Sequence, residues 1–361
     1  MEPVTHMLTG ACLSRALGLP AKARYATAAC VIAAEIPDAD YVYRLGGPLV
    51  YFQHHRGWTH AFWSLPLQAA LVTAAFFLLY QFQHRRPWRR RTDAPTNWPL
   101  VFGACLLALV SHILLDWTNN YGVRPFAPWN PRWYEGDLVF IVEPLLLLFL
   151  GGALVLPLLF SLINREIGFR RTRYAGGGLA LIALFLTAGL WAYRFLQHGN
   201  AEQQVRQQDD TGGTIRRMVL NPYPINPFHW YVVTETATTV KTGSFDNRIR
   251  SYDTDTTRTL SKPPVTPAVQ AAKQSWLGRV YLDWSRCPMV EDRGTVEQLH
   301  PELDLDPQER TWRVIRFTDL RFSYPILGRS DSTALLSAEA WVDNTLHVQR
   351  VFFGSAEQKL P

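Results

Sequence analysis

The chain has 361 residues, of which 48% are hydrophobic and 18% charged, with a formal net charge of +6. The charge is uneven: residues 1–196 carry 17 Lys+Arg against 10 Asp+Glu, and residues 197–361 carry 19 against 20. The positive excess lies in one half and mostly in two short loops, which excludes a basic nucleic-acid-binding surface; 13 Trp, 19 Phe and 14 Tyr exclude low-complexity disorder.

In chain order, the N-terminus opens with two short apolar pieces rich in small residues, 4–18 and 25–35, joined by Leu-Pro-Ala-Lys-Ala-Arg. Each is too short to span a bilayer, and the order of a signal peptide is missing. A helical hairpin packed on neighbouring helices is expected, with Gly10, Ala11, Ala28 and Ala29 permitting close approach. Four stretches without Asp, Glu, Lys or Arg follow, at 60–83, 94–115, 144–164 and 174–193. Each has the length of a transmembrane helix. Residues 197–213 carry the Gln, Asp and Gly of a linker. From 214 onward, segments such as 214–220, 229–235, 311–317 and 346–353 alternate β-branched or aromatic residues with polar ones. Residues 267–275 suit a short helix. The fold class is thus an all-α polytopic membrane domain over 1–196 (four spanning helices plus the N-terminal hairpin), then an antiparallel β-rich domain over 214–361.

Orientation follows from basic residues in short loops. The loop at 84–93 holds five Arg, the loop at 165–173 holds four, and Lys22 and Arg24 mark the hairpin tip. These are expected in the cytoplasm of a bacterial cell. The β-rich domain is then periplasmic or extracellular, after a multi-pass passage through the inner membrane. The four cysteines form neither a CxxC pair nor a zinc spacing with His, and they leave the compartment of the second half undecided.

Chemistry-bearing residues gather in five runs: Thr5-His6 with Gly10, Pro37-Asp38-Ala39-Asp40, His54-His55-Arg56-Gly57-Trp58-Thr59-His60, His112 with Asp116, and Asn119-Asn120-Tyr121-Gly122. His112 and Asp116 are i and i+4 on a helix and share one face. Topology strengthens the pattern. The hairpin brings His6 to the side of Asp38 and Asp40; the first span starts there at His60; the second arrives with His112 and Asp116; the third leaves with Glu143. Ionisable residues at membrane depth are costly and usually functional. Imidazole and carboxylate without thiolate suit Zn²⁺, Mn²⁺, Fe²⁺ or Mg²⁺, as one ion or two. Buried hydrogen bonds and helix capping are the structural alternatives for these residues one by one. Arg56 suits either a phosphate clamp or a salt bridge to Asp38 or Asp40.

As an ordered set, Thr5/His6/Gly10, Pro37/Asp38/Asp40, His55/Arg56/Gly57/Thr59/His60 and His112/Leu115/Asp116/Asn119/Tyr121/Gly122 resemble the bacterial LexA-regulated, membrane-bound metal-dependent hydrolase family. The resemblance covers about residues 1–165. The family's common serine after the second His of its HRG-x-TH motif is Ala61 here. The His112/Asp116 pair is also distantly similar to one in zinc-dependent phospholipase C and related nucleases, which implies phosphodiester chemistry without identifying a substrate.

The expected function is a membrane-bound metal-dependent hydrolase of a phosphoester in a phospholipid or lipid-linked compound. Its candidate metal ligands are His6, Asp38, Asp40, His55, His60, His112 and Asp116, with zinc favoured and Mn, Fe or Mg as alternatives. Metal-activated water is the expected nucleophile, a carboxylate not taken up as a ligand (Asp38 or Glu143) the base, and Arg56 and Asn119 the phosphoryl-holding groups. The expected partners are the membrane and a lipid or lipid-linked small molecule, with no nucleic acid; protein partners are left unassigned. The competing reading is a non-catalytic protein whose metal pins the helices while the β-rich domain binds a partner or polymer. A transporter ranks last, because no inverted repeat is visible and the ionisable residues gather at one face.

Overall fold

The computed structural model describes residues 1–84, 96–166, 176–208, 213–323 and 336–360. The arginine-rich loops at 84–93 and 165–173 lie outside these residues, apart from their leading positions. The chain divides into two compact units. Met1–Asp40, Arg56–His198 and Pro222–Pro227 form one; Tyr41–His55, Gly199–Asn221 and Phe228–Pro361 form the other.

The first unit is helical. Helix α1 (Pro3–Ala16) starts where the Glu2 side chain accepts the Thr5 amide and Pro3 needs no donor. Helix α2 (Ala26–Glu35) packs against it. A Cβ on Gly10 would lie 2.6 Å from the Cys30 carbonyl oxygen, so the two backbones touch only because Gly10 has no side chain. After the short helix α3 (Pro48–His54), two 3₁₀ turns at Trp58–His60 and Phe62–Ser64 lead into α4 (Leu65–His84). Helices α5 (Trp98–Thr118), α6 (Pro144–Glu166) and α7 (Gly177–Gln207) follow. The core between α2, α4 and α5 combines small side chains (Ala29, Ala33, Ala69, Ala104, Cys105 and Ala108) with larger ones such as Leu65, Val72, Leu109 and Ile113. Among the described residues, three stretches are long and apolar enough to cross a membrane: Phe62–Gln83, Trp98–Thr118 and Gly177–Gln207. The fourth expected span is a shorter apolar helix over Pro144–Phe160 among the described residues.

The second unit carries two antiparallel sheets. In chain order its strands are β1 (Arg217–Pro222), β2 (His229–Glu235), β3 (Thr239–Asp246), β4 (Ser251–Tyr252), β5 (Arg258–Ser261), β6 (Pro288–Thr295), β7 (Arg313–Asp319), β8 (Ala338–Val342), β9 (Val348–Phe353) and β10 (Ala356–Gln358). The first sheet runs β1-β2-β3-β4, with β5 also on β3; the second runs β10-β9-β8-β7-β6. Helices α8 (Pro267–Gln274) and α9 (Trp276–Trp284) lie between them in sequence. Helix α8 matches the expected short helix, capped by Thr266. Helix α9 starts where the Ser275 side chain accepts the Gly278 amide. Two findings differ from the linear reading. Helix α7 continues through 197–207, the start of the expected linker, because Ala201 and Val205 share a face and bury against Leu220, Trp230, Val232 and Phe245. The segment 41–55 belongs to this second unit: Phe52 on α3 packs against Tyr281, Trp284 and Phe353.

Candidate metal centre

Four side chains from three places in the helical unit converge. Asp38 comes from the 3₁₀ stretch after α2, His60 from the 3₁₀ turn before α4, and His112 and Asp116 from one face of α5. One ligand atom from each lies within 4.8 Å of all the others. His60 Nε2 is 3.4 Å from Asp38 Oδ1, 3.3 Å from Asp116 Oδ2 and 3.1 Å from His112 Nε2. His112 Nε2 is 3.7 Å from Asp38 Oδ1 and 3.4 Å from Asp116 Oδ2. Ligands about 2.1 Å from a tetrahedral ion are about 3.4 Å apart, so these separations match the edges of such a site.

The surrounding bonds fix the donors' direction. His112 Nδ1 is 2.6 Å from the Ala34 carbonyl oxygen, so this nitrogen carries the hydrogen and Nε2 presents its lone pair to the cluster. His60 Nδ1 is 3.0 Å from Thr59 Oγ1 and 3.5 Å from Asp40 Oδ2. Asp40 thus sits behind His60, where its Oδ2 also accepts the Arg56 amide at 2.9 Å and the Thr59 hydroxyl at 3.2 Å. Asp116 is fully buried and divides its two oxygens: Oδ1 accepts Arg56 Nη2 at 2.7 Å and also meets the Met1 amine, while Oδ2 is a buried oxygen without a hydrogen bond. An anionic oxygen left this way beside two imidazole lone pairs fits a divalent cation. Asp38 is the one partly open member, its side chain 26% exposed.

His6 is buried, its ring stacked on His112 at 3.8 Å with Nε2 3.5 Å from Asp116 Oδ1, and its Nδ1 has no hydrogen-bond partner. His55 belongs to the second unit, with its ring 4.6 Å from that of Tyr51. Arg56 has φ near +53°, a conformation bulky residues rarely hold. Its guanidinium also donates to the Gly122 carbonyl at 2.8 Å and lies 4.8 Å from the Tyr121 ring centre. The sequence offers Asp38 or Asp40 as the ion-pair partner of Arg56. In the structure the guanidinium pairs with Asp116, and Asp40 takes the backbone amide of Arg56 instead. Asn119 Oδ1 accepts the Tyr121 amide at 2.8 Å, and its Nδ2 is buried without a partner.

Glu143 is engaged apart from the four. Its Oε2 accepts Arg194 Nη2 at 3.0 Å, and its Oε1 accepts the Ile225 amide at 3.0 Å. Arg194, fully buried on α7, also donates to the Tyr223 carbonyl at 2.9 Å. Glu143 is thus half of a buried ion pair with Arg194. Glu35, the last residue of α2, falls outside the sequence motifs. Burial, then the charges of Asp38 and Glu2, push its carboxyl up to about 7, and its Oε1 has no hydrogen-bond partner. The available sequence signal was an acid ending an otherwise apolar helix.

Residues 1–200 match the model of a family described as YdjM inner membrane protein, and this region includes every residue of the cluster. An uncharacterized protein of Bacillus subtilis (strain 168), YfhP, is 23% identical over 301 residues, covering 79% of this chain and 80% of that protein. No solved structure matches significantly. By its helices, its buried His/Asp cluster and this match over more than half its length, the chain is a multi-pass inner-membrane protein belonging to the YdjM inner membrane protein family.

Proposed function

We propose that this protein is a membrane-bound, metal-dependent hydrolase that cleaves a phosphoester in a phospholipid or lipid-linked substrate at the exterior face of the membrane. The observation that carries the reading is the convergence of Asp38, His60, His112 and Asp116 at tetrahedral-edge separations. A divalent cation held by these four, zinc first and Mn, Fe or Mg as alternatives, would supply a nucleophile at neutral pH and offset the developing phosphoryl charge. The chain's own groups do the rest. The Thr59 hydroxyl, itself donating to Asp40, and the Ala34 carbonyl would hold the two imidazoles in the ligating tautomer. Arg56 Nε and Asn119 Nδ2, buried donors without partners, would hold phosphoryl oxygens. With Asp38 among the four ligands and Glu143 paired to Arg194, proton acceptance would fall to Glu35, a buried carboxyl close enough to feel the charge of Asp38.

The test is release of phosphorylated headgroup from phospholipid or lipid-linked phosphoester vesicles by the reconstituted protein. Asp116→Ala is expected to lose at least ~10³-fold in rate while still inserting in the membrane. Undiminished hydrolysis in that variant contradicts the assignment.

One observation favours a second reading, a structural metal site: four protein donors already complete a tetrahedral set, and closed sites are structural. The visible spectrum of the Co²⁺-substituted protein separates the two. A spectral change on adding phosphate means an open coordination position and supports hydrolysis. An indifferent spectrum supports the structural role.

A further inference from the structure

A ledge of exposed aromatic side chains surrounds the turn that supplies His60. Trp58 and Trp129 are 65% and 77% exposed, and Phe62, Trp63 and Phe126 are also exposed. They are held in a defined array. Ring centres lie 6.2 Å apart for Trp58 and Trp63, 6.0 Å for Trp63 and Trp129, and 5.6 Å for Phe62 and Phe126. Trp63 Nε1 donates to the Ala127 carbonyl at 2.7 Å, and the Phe62 amide donates to the Pro125 carbonyl at 2.9 Å. Large aromatic rings presented this way in water would be costly.

The ledge is continuous with a membrane span, since Phe62 is the first residue of Phe62–Gln83. A second aromatic group sits near the far end of the same helices, where Trp98 meets Phe77 at 5.3 Å and Tyr80 at 5.6 Å. Trp63 and Tyr80 are roughly 25 Å apart along the helix at 1.5 Å per residue, close to the ~30 Å hydrocarbon thickness. Aromatic belts at both boundaries are the normal anchoring of spanning helices. His60 shares its turn with Trp58, and Asp116 lies two residues before the end of its span at Thr118, so the cluster sits at the level of the first belt.

We propose that Trp58, Phe62, Trp63, Phe126 and Trp129 seat in the lipid headgroup layer, placing the His/Asp cluster where it meets the polar heads of membrane amphiphiles. This rests on the spanning helices and is independent of hydrolysis. The four native cysteines are buried, so an introduced surface cysteine takes a fluorescent label selectively, with the parent protein as the blank. Trp129→Cys and Trp58→Cys, with Phe126→Cys as a further position, are labelled with bimane and reconstituted into phosphatidylcholine vesicles. Leu71→Cys, exposed near the middle of the first span, is the depth reference. The lipids carry a nitroxide on the headgroup, at the fifth acyl carbon or at the twelfth.

At the ledge positions the headgroup and fifth-carbon probes are expected to quench about threefold more than the twelfth-carbon probe, with the order reversed at Leu71. No quenching at the ledge while the Leu71 position is quenched at depth would overturn the seat and leave the spans standing. Deep quenching at the ledge would also overturn it. Failure of the twelfth-carbon probe at Leu71 would remove the spanning frame and the seat together.

Discussion

At the residue scale, the two oxygens of Asp116 have different tasks. Oδ1 is tied to Arg56, and Oδ2 faces His60 and His112 at 3.3 and 3.4 Å. The i,i+4 pair on α5 was legible in the sequence because helical spacing alone puts both side chains on one face. The roles of Asp38 and Asp40 were not, because two carboxylates two residues apart can meet either nitrogen of His60 until the 3₁₀ backbone is known. Asp38 takes Nε2 and Asp40 lies near Nδ1. Asp40→Asn is therefore expected to weaken metal affinity by about 10–100-fold without abolishing it, measured by competition with a chromophoric chelator. A complete loss would make Asp40 a direct ligand. Glu143 was likewise expected among the catalytic carboxylates, since its position at a helix start told nothing of Arg194, 51 residues later. Glu143→Ala leaves the buried Arg194 charge uncompensated, at a cost of about 3–5 kcal/mol. It should lower the thermal unfolding temperature in detergent with metal content unchanged. Lost metal at unchanged stability would return Glu143 to the centre.

At the element scale, the contact of α1 with α2 depends on one missing methyl. Gly10→Val would force its side chain into the Cys30 carbonyl, and overpacking of this kind costs about 1–3 kcal/mol. A lower unfolding temperature in detergent is expected; an unchanged one would mean that the two helices separate freely. The charge-free stretches located the long apolar helices because hydropathy reports length directly. Their ends were harder. Two 3₁₀ turns precede α4, and α7 runs on to Gln207, since polar Gln and Glu on its outer side hid the Ala201/Val205 face that meets the first sheet. Helix α3 was hidden for the same reason: its partners Tyr281, Trp284 and Phe353 lie more than two hundred residues away in the chain.

At the scale of the whole molecule, the charge asymmetry and the buried cluster point to one arrangement. The basic connection between α1 and α2, with Lys22 and Arg24, lies at the opposite end of these helices from His6 and Asp38. A C-terminal alkaline phosphatase fusion should therefore be active and a C-terminal green fluorescent protein fusion dark; the reverse result would put the β-rich unit in the cytoplasm. The proposed chemistry depends throughout on Asp38, His60, His112 and Asp116 holding a metal. The direct measurement is elemental mass spectrometry of the detergent-purified protein beside a His60→Ala/Asp116→Ala variant. About one equivalent of a divalent metal in the parent, lost in an equally well-folded variant, is the expected result. Equal metal content in both, or none in either after reconstitution with Zn²⁺, Mn²⁺, Fe²⁺ and Mg²⁺, would contradict it and make the cluster a polar packing network between helices.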